Sequence, residues 1–246
     1  MKKLILFTFL TASLVPVRAQ TAIVYVPSGA QSQPGNAVLV PYQWEYQQLF
    51  DASLFSSLPP GGGVIRGLSL RPSVRSPSKE AELSGIIIEL STTMKTIGSL
   101  SPIFAENTGS DNQVYWSGRS VRWISGGVED GTPQRWSPGF GVLPGEGFSY
   151  DPTKGNLLMR IRNLQLPDVI LVLGYDAVRD SPFTASVIGE AGALRGTVRS
   201  EALVVGFGFT DLVPEPSPAM LLALGSAVLL GLSSQIAGRK ESDVVS

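Results

Sequence analysis

The 246-residue sequence contains neither cysteine nor histidine. Without cysteine there are no disulfides, thiolate nucleophiles, iron–sulfur clusters or thiolate-bound zinc, so the fold must be held by packing alone. Without histidine, the Ser-His-Asp and Cys-His mechanisms and imidazole-ligated metals are closed to this chain. Charged residues are also scarce, at 16% of the chain, whereas 27 Gly and 18 Pro are spread along it with no low-complexity tract. That balance points to an ordered, turn-rich domain and away from helix-rich folds. The length fits one domain of ordinary size with targeting segments at its ends.

Lys2 and Lys3 precede an apolar run over residues 4–15, interrupted only by Thr and Ser, and Val17-Arg18-Ala19 has the small-residue spacing of a signal-peptidase site. The run is short for a bilayer core, so residues 1–19 read as a signal peptide cleaved after Ala19. Losing Lys2, Lys3 and Arg18 takes the formal net charge from −1 to about −4, which disfavours a nucleic-acid partner. Arg66, Arg71, Arg75, Arg119, Arg122 and Arg135 are interspersed with acids and read as a mixed solvated surface.

At the other end no charge occurs between Glu215 and Arg239, and the 19 residues 219–237 are all uncharged. As a helix they would span about 28 Å, close to the hydrocarbon thickness of a bilayer. Arg239 and Lys240 follow as a stop-transfer pair and, by the positive-inside rule, keep the C-terminus cytoplasmic with the body outside. Pro214 and Pro216 end the preceding domain sharply. Pro214-Glu215-Pro216, an apolar helix and a basic patch, behind a signal peptide, together resemble the PEP-CTERM sorting tail of Gram-negative bacteria over residues 213–246. The resemblance implies the membrane as anchor and an exosortase as partner, a membrane protease-transpeptidase that processes proteins bound for the cell surface alongside exopolysaccharide production. One departure is that only Arg239 and Lys240 form the basic patch, followed by Glu241 and Asp243, where the family carries a denser arginine cluster.

Between these ends, residues 20–212 read as short apolar runs separated by turn clusters, with no long segment of helical period. Leu68 and Leu70 alternate with Ser69 and Arg71. Ile86, Ile88 and Leu90 share a face opposite Glu89, and Leu157, Met159 and Ile161 alternate with Arg160 and Arg162. Leu203, Val205, Phe207 and Phe209 make a last strand whose glycines, Gly206 and Gly208, suit close approach of another backbone. The unbroken apolar run 169–173 reads as a central strand. Residues 59–63, 72–78 and 125–147 read as loops, and 101–106 as a short helix with Ser101 as N-cap and Pro102 in its first turn. The expected architecture is all-β: an antiparallel β-sandwich of jelly-roll-like connectivity, flanked by the signal helix and the transmembrane helix. Phrases such as Tyr46-Gln47-Gln48-Leu49-Phe50-Asp51 and Phe104-Ala105-Glu106-Asn107 also resemble the uncharacterised ectodomain that often accompanies such tails. That resemblance implies location and fold and no activity.

No motif assigns catalytic residues, a metal or a cofactor. Ser76-Pro77-Ser78-Lys79 spells an acyl-transfer motif, but that chemistry needs a helix to bring Lys under Ser, and Pro77 sits in a loop passage. Glu106, Asp111 and Asn112 are oxygen donors at a spacing unlike a calcium loop and read as self-bonded turns. The tryptophans are the stronger signal, because Trp faces on a sheet can stack on sugar rings. Trp116 and Trp123 share strand phases with Val114 and Val121 and so suit a core, leaving Trp136, in its loop, as the best sugar-binding candidate. The expected function is therefore a non-enzymatic, exported surface or matrix protein that binds exopolysaccharide. Two alternatives stay open. One is a glycan-active hydrolase or lyase using carboxylates such as Glu45, Glu89, Glu106, Glu146 and Asp151; the other is a purely structural surface protein.

Overall fold

The computed structural model describes residues 20–27, 35–39, 44–71, 73, 79–83, 85–118, 121–125, 140–141, 147–163 and 174–212. Residues 1–19, 213–246 and 169–173, read from the sequence as a signal peptide, a sorting tail and a central strand, lie outside these. In chain order the strands are β1 (Gln20–Val26), β2 (Ala37–Leu39), β3 (Trp44–Phe50), β4 (Gly63–Leu70), β5 (Lys79–Leu83) and β6 (Ile86–Thr93). They continue with β7 (Gln113–Gly118), β8 (Val121–Ser125), β9 (Phe140–Gly141), β10 (Phe148–Tyr150) and β11 (Asn156–Asn163). The last are β12 (Tyr175–Val178), β13 (Thr184–Glu190), β14 (Thr197–Arg199), β15 (Ala202–Leu203) and β16 (Val205–Leu212). Among the described residues the helices are short 3-10 turns, and every strand pairing is antiparallel, so the protein is all-β.

Two sheets dominate. One runs β1-β16-β4-β10, with β9 beside β10 along the same edge of β4; the other runs β14-β13-β3-β11-β6-β7. Smaller sheets β15-β12-β2 and β5-β8 complete the set. A single apolar cluster takes Ile65, Leu68, Phe148, Phe207 and Phe209 from the first large sheet and Tyr46, Phe50, Ile88, Leu90, Met159 and Ile161 from the second. The Phe50 and Phe207 rings meet edge to face at 5.1 Å, joining the two sheets directly. β1 pairs with β16 from Gln20↔Leu212 to Val26↔Val205, so the first and last described strands close on each other.

The alternating apolar positions are where the pattern puts them: Leu68, Leu70, Ile86, Ile88, Leu90, Leu157, Met159 and Ile161 are all buried. Several expectations are corrected. The run through Phe209 is divided at Val204, whose N–H bonds the Asp176 carbonyl, so Leu203 lies in β15 and Val205 onward in β16, in different sheets. Of the two glycines of β16, Gly206 is the more crowded: a Cβ there would lie 2.6 Å from Ser69 Oγ and require that hydroxyl to turn aside, whereas one on Gly208 would meet Gly67 at an ordinary 3.4 Å. Arg71 is not solvated. It is 1% exposed, and its Nε sits 2.8 Å from Asp176 Oδ2, pinning the end of β4 to β12. Burial pulls its guanidinium below the ordinary value, with Asp176 opposing. The short helix begins later than its capping pattern suggests, as a 3-10 turn at Phe104–Asn107, because Ile103 is held extended in a bridge with Arg195 and the Phe104 N–H goes to the Leu194 carbonyl. Within 125–147, Phe140 and Gly141 form a strand by pairing with Leu68 and Gly67.

Candidate functional site

β3 positions most of what is chemically distinctive, because residues 45–50 are buried on both faces. On the face toward the core, the Gln48 side-chain amide imitates a strand: its Nε2 donates to the Leu203 carbonyl at 2.9 Å, and its Oε1 accepts the Leu203 N–H at 2.8 Å. Tyr46 hydroxyl donates to Gln48 Oε1 and accepts a second, longer bond of 3.2 Å from Leu203 N. On the opposite face, Gln47 Nε2 donates to the Phe104 carbonyl at 3.0 Å, and Asn107 Nδ2 donates to Gln47 Oε1 at 3.0 Å. Segment 101–107 is thereby fixed over this face, with Phe104 buried against it.

The same outer face carries a four-member ion network. Arg160 Nε lies 2.6 Å from Glu45 Oε1 and its Nη1 3.6 Å from Glu89 Oε2, while Arg162 Nε lies 3.1 Å from Glu89 Oε2. The register explains the array, since Arg160 stands opposite Gln47 on one side and Glu89 on the other. Arg160 also lies 5.8 Å from the Phe104 ring centre. Burial raises the Glu45 carboxyl above its ordinary value, and Arg160 pulls the other way. Both carboxylates are thus held by guanidinium groups.

A cavity of about 580 Å³ opens where β2 meets the β13–β14 hairpin. Cross-strand pairing puts Tyr46, Ile188 and Thr197 in one row on one face of the sheet, and all three line it. Val38 and Leu39 of β2 supply a further apolar wall, and Glu190, Arg195 and Arg199 supply charge. Among the described residues that line it, Glu190 is the one carboxylate, so a two-carboxylate glycosidase arrangement is not assembled there. The size falls in the roughly 300–1,000 Å³ range of small-ligand sites.

The hairpin is rigidly seated. Ile103 and Arg195 form an isolated antiparallel bridge, Phe104 N donates to Leu194 O at 3.2 Å, and Gly196 N donates to Pro102 O at 2.8 Å. Glycine is required here for closeness: a Cβ on Gly196 would stand 2.6 Å from the Ile188 carbonyl oxygen, and one on Gly189 2.7 Å from that of Arg195.

The residues singled out from the sequence fare unevenly. Trp116 is a core residue, 9% exposed, although its supposed companion Val114 is 45% exposed. A register shift between Ile88 and Glu89 separates their phases and turns both Tyr115 and Trp116 inward. Trp123 belongs to β8, opposite Ala81; its side chain and the whole of Trp136 lie outside the described residues. So do Glu146, Pro214, Glu215, Pro216, Arg239 and Lys240. Glu106 accepts from Ser101 Oγ at 2.6 Å, Asp111 Oδ1 from Thr92 N at 2.7 Å, and Asp151 caps its own 3-10 turn through Thr153. Among the described residues there is no group of three or more acids placed to hold a metal. The cavity arginines were missed because Arg195 and Arg199 sit in a Gly-containing hairpin with no motif around them.

Against known protein families, curated proteins and solved structures, the chain has no match.

Proposed function

We propose that this is an exported protein of the bacterial surface, anchored through residues 219–237 and sorted through Pro214-Glu215-Pro216 by an exosortase, whose outward-facing domain binds exopolysaccharide without turning it over. The observation that carries the reading is the order of segments in one chain: signal peptide, β domain, Pro-Glu-Pro, uncharged span, Arg239-Lys240. Among the described residues no helix is long and apolar enough to cross a membrane, and residues 219–237 lie beyond them. For the domain we propose a β-sandwich of jelly-roll-like connectivity. Two antiparallel sheets sharing one core, and pairing between strands as distant as β1 and β16, support it.

The non-enzymatic part draws support from the acids. Glu45 and Glu89 are engaged by Arg160 and Arg162, and among the described residues the cavity lining holds one carboxylate. The test is co-sedimentation of the purified chain with the host's exopolysaccharide while released reducing ends are followed. Binding without release is expected. Release of sugar ends would make the protein a glycan-active enzyme, and neither binding nor release would leave it a purely structural surface protein.

A further inference from the structure

We propose that the cavity between β2 and the β13–β14 hairpin binds a carboxylate-bearing sugar unit of an acidic polysaccharide, with Arg195 and Arg199 holding the carboxylate. This rests on the reading of the protein as an exopolysaccharide binder and adds the class of polymer and the residues that select it.

Charge is the first argument. Every other arginine whose side chain is described has an assigned interaction: Arg71 with Asp176, Arg160 and Arg162 with the two glutamates, Arg179 with Glu201, and Arg66 with Thr210. Among the described residues, Arg195 and Arg199 have no ion-pair partner, and both line the same cavity. With Glu190 the lining carries a net positive charge on a protein whose mature charge is negative. The attraction is therefore local to the cavity and not a property of the whole surface.

Shape and rigidity are the second. Val38, Leu39 and Ile188 give the cavity an apolar wall for the C–H face of a ring, and a guanidinium fork matches a carboxylate in the plane above it. Arg195 stands on backbone tied to segment 102–104 by the three contacts around Ile103, Phe104 and Gly196, and that segment is tied in turn to Gln47 of β3. A binding residue on a pre-set backbone loses less freedom on engaging its ligand. Glu190 lowers the positive potential that Arg195 and Arg199 give the lining, so its loss should strengthen the hold on an anion.

The experiment uses the chain with its tail, purified in a neutral detergent, and titrates it calorimetrically with a defined oligogalacturonate, a neutral oligosaccharide of equal length, and octanoate. Oligogalacturonate should bind, weakening as salt rises, with about a tenfold loss in each of Arg195→Gln and Arg199→Gln. Glu190→Gln should tighten it. All three side chains are exposed, so the variants should keep the wild-type melting temperature. Equal affinity in both arginine variants, equal affinity for the neutral sugar, or capture of octanoate in place of the uronide would each overturn the proposal. Co-sedimentation with whole exopolysaccharide, run on the same variants, separates the two readings. Sedimentation that survives loss of both arginines removes the cavity assignment and leaves the surface function. Arginine-dependent uronide binding without sedimentation does the reverse.

Discussion

Gln48 joins two sheets through a side chain, and removing it should cost more than its size suggests. In Gln48→Met the volume is nearly kept, but the Leu203 carbonyl loses its 2.9 Å donor and is left buried without a partner. Leu203 N–H still has the Tyr46 hydroxyl at 3.2 Å. One orphaned buried acceptor is worth about 1–3 kcal/mol, which sets the expected loss. Tyr46→Phe alone should cost about 1 kcal/mol, since Leu203 N–H keeps Gln48 Oε1 at 2.8 Å. In the double variant both backbone groups of Leu203 are orphaned, so the combined loss should exceed the sum by about 1 kcal/mol or more. Urea unfolding of the chain lacking residues 213–246, with a double-mutant cycle, measures this; β1 and β16 close that unit on itself. Strict additivity would refute the shared-partner reasoning, because it would mean that Gln48 and Tyr46 do not serve the same N–H.

Three further outcomes follow from the same structure. Gly61 and Gly62 both have positive φ, +87° and +70°, but a Cβ on Gly61 meets nothing within 4 Å, whereas one on Gly62 would stand 1.9 Å from the Tyr150 carbonyl oxygen. Gly61→Ala should therefore cost about 1–2 kcal/mol of backbone strain, and Gly62→Ala clearly more by the same unfolding assay. Arg160→Met removes the partner 2.6 Å from buried Glu45, so it should destabilise most at neutral pH. Glu45 already has a raised carboxyl pKa in the fold, and losing Arg160 raises it further; the deficit should shrink as pH falls and Glu45 becomes neutral, as melting temperatures against pH would show. Tyr46, Tyr115 and Tyr150 are pushed well above the ordinary value of 10.0, chiefly by burial. Their contribution is intact below that ordinary value and is lost as pH rises beyond it. Tyrosinate absorbance should consequently show these three tyrosines ionising only together with unfolding.

Strands whose one face is apolar were legible from period alone, as β4, β6 and β11 show: their Leu, Ile and Met residues are buried as the alternation requires. β3 was not, because its Tyr-Gln-Gln-Leu pattern has polar side chains on both buried faces, and only the partners at Leu203 and Phe104 make their burial possible. Arg71 looked like surface for the same reason: its partner Asp176 is 105 residues away. Val114, read in phase with core residue Trp116, was turned outward by a bulge, and an extra residue in one strand leaves no mark on the sequence period. The site itself was least legible. Its charges come from a hairpin and its walls from β2, and neither segment has a composition that announces chemistry.

The absence of cysteine makes the central claim directly measurable, since a single introduced thiol reports its own side of the membrane. Met94, 82% exposed on the domain, is replaced by Cys in one chain and Val244, beyond Arg239 and Lys240, in another. Each is expressed without an exosortase so that the tail stays in place, and spheroplasts are treated with a membrane-impermeant maleimide. An exported, tail-anchored protein predicts labelling of Met94→Cys in intact spheroplasts and of Val244→Cys only after the membrane is opened. Protection of Met94→Cys, or labelling of Val244→Cys from outside, would contradict it.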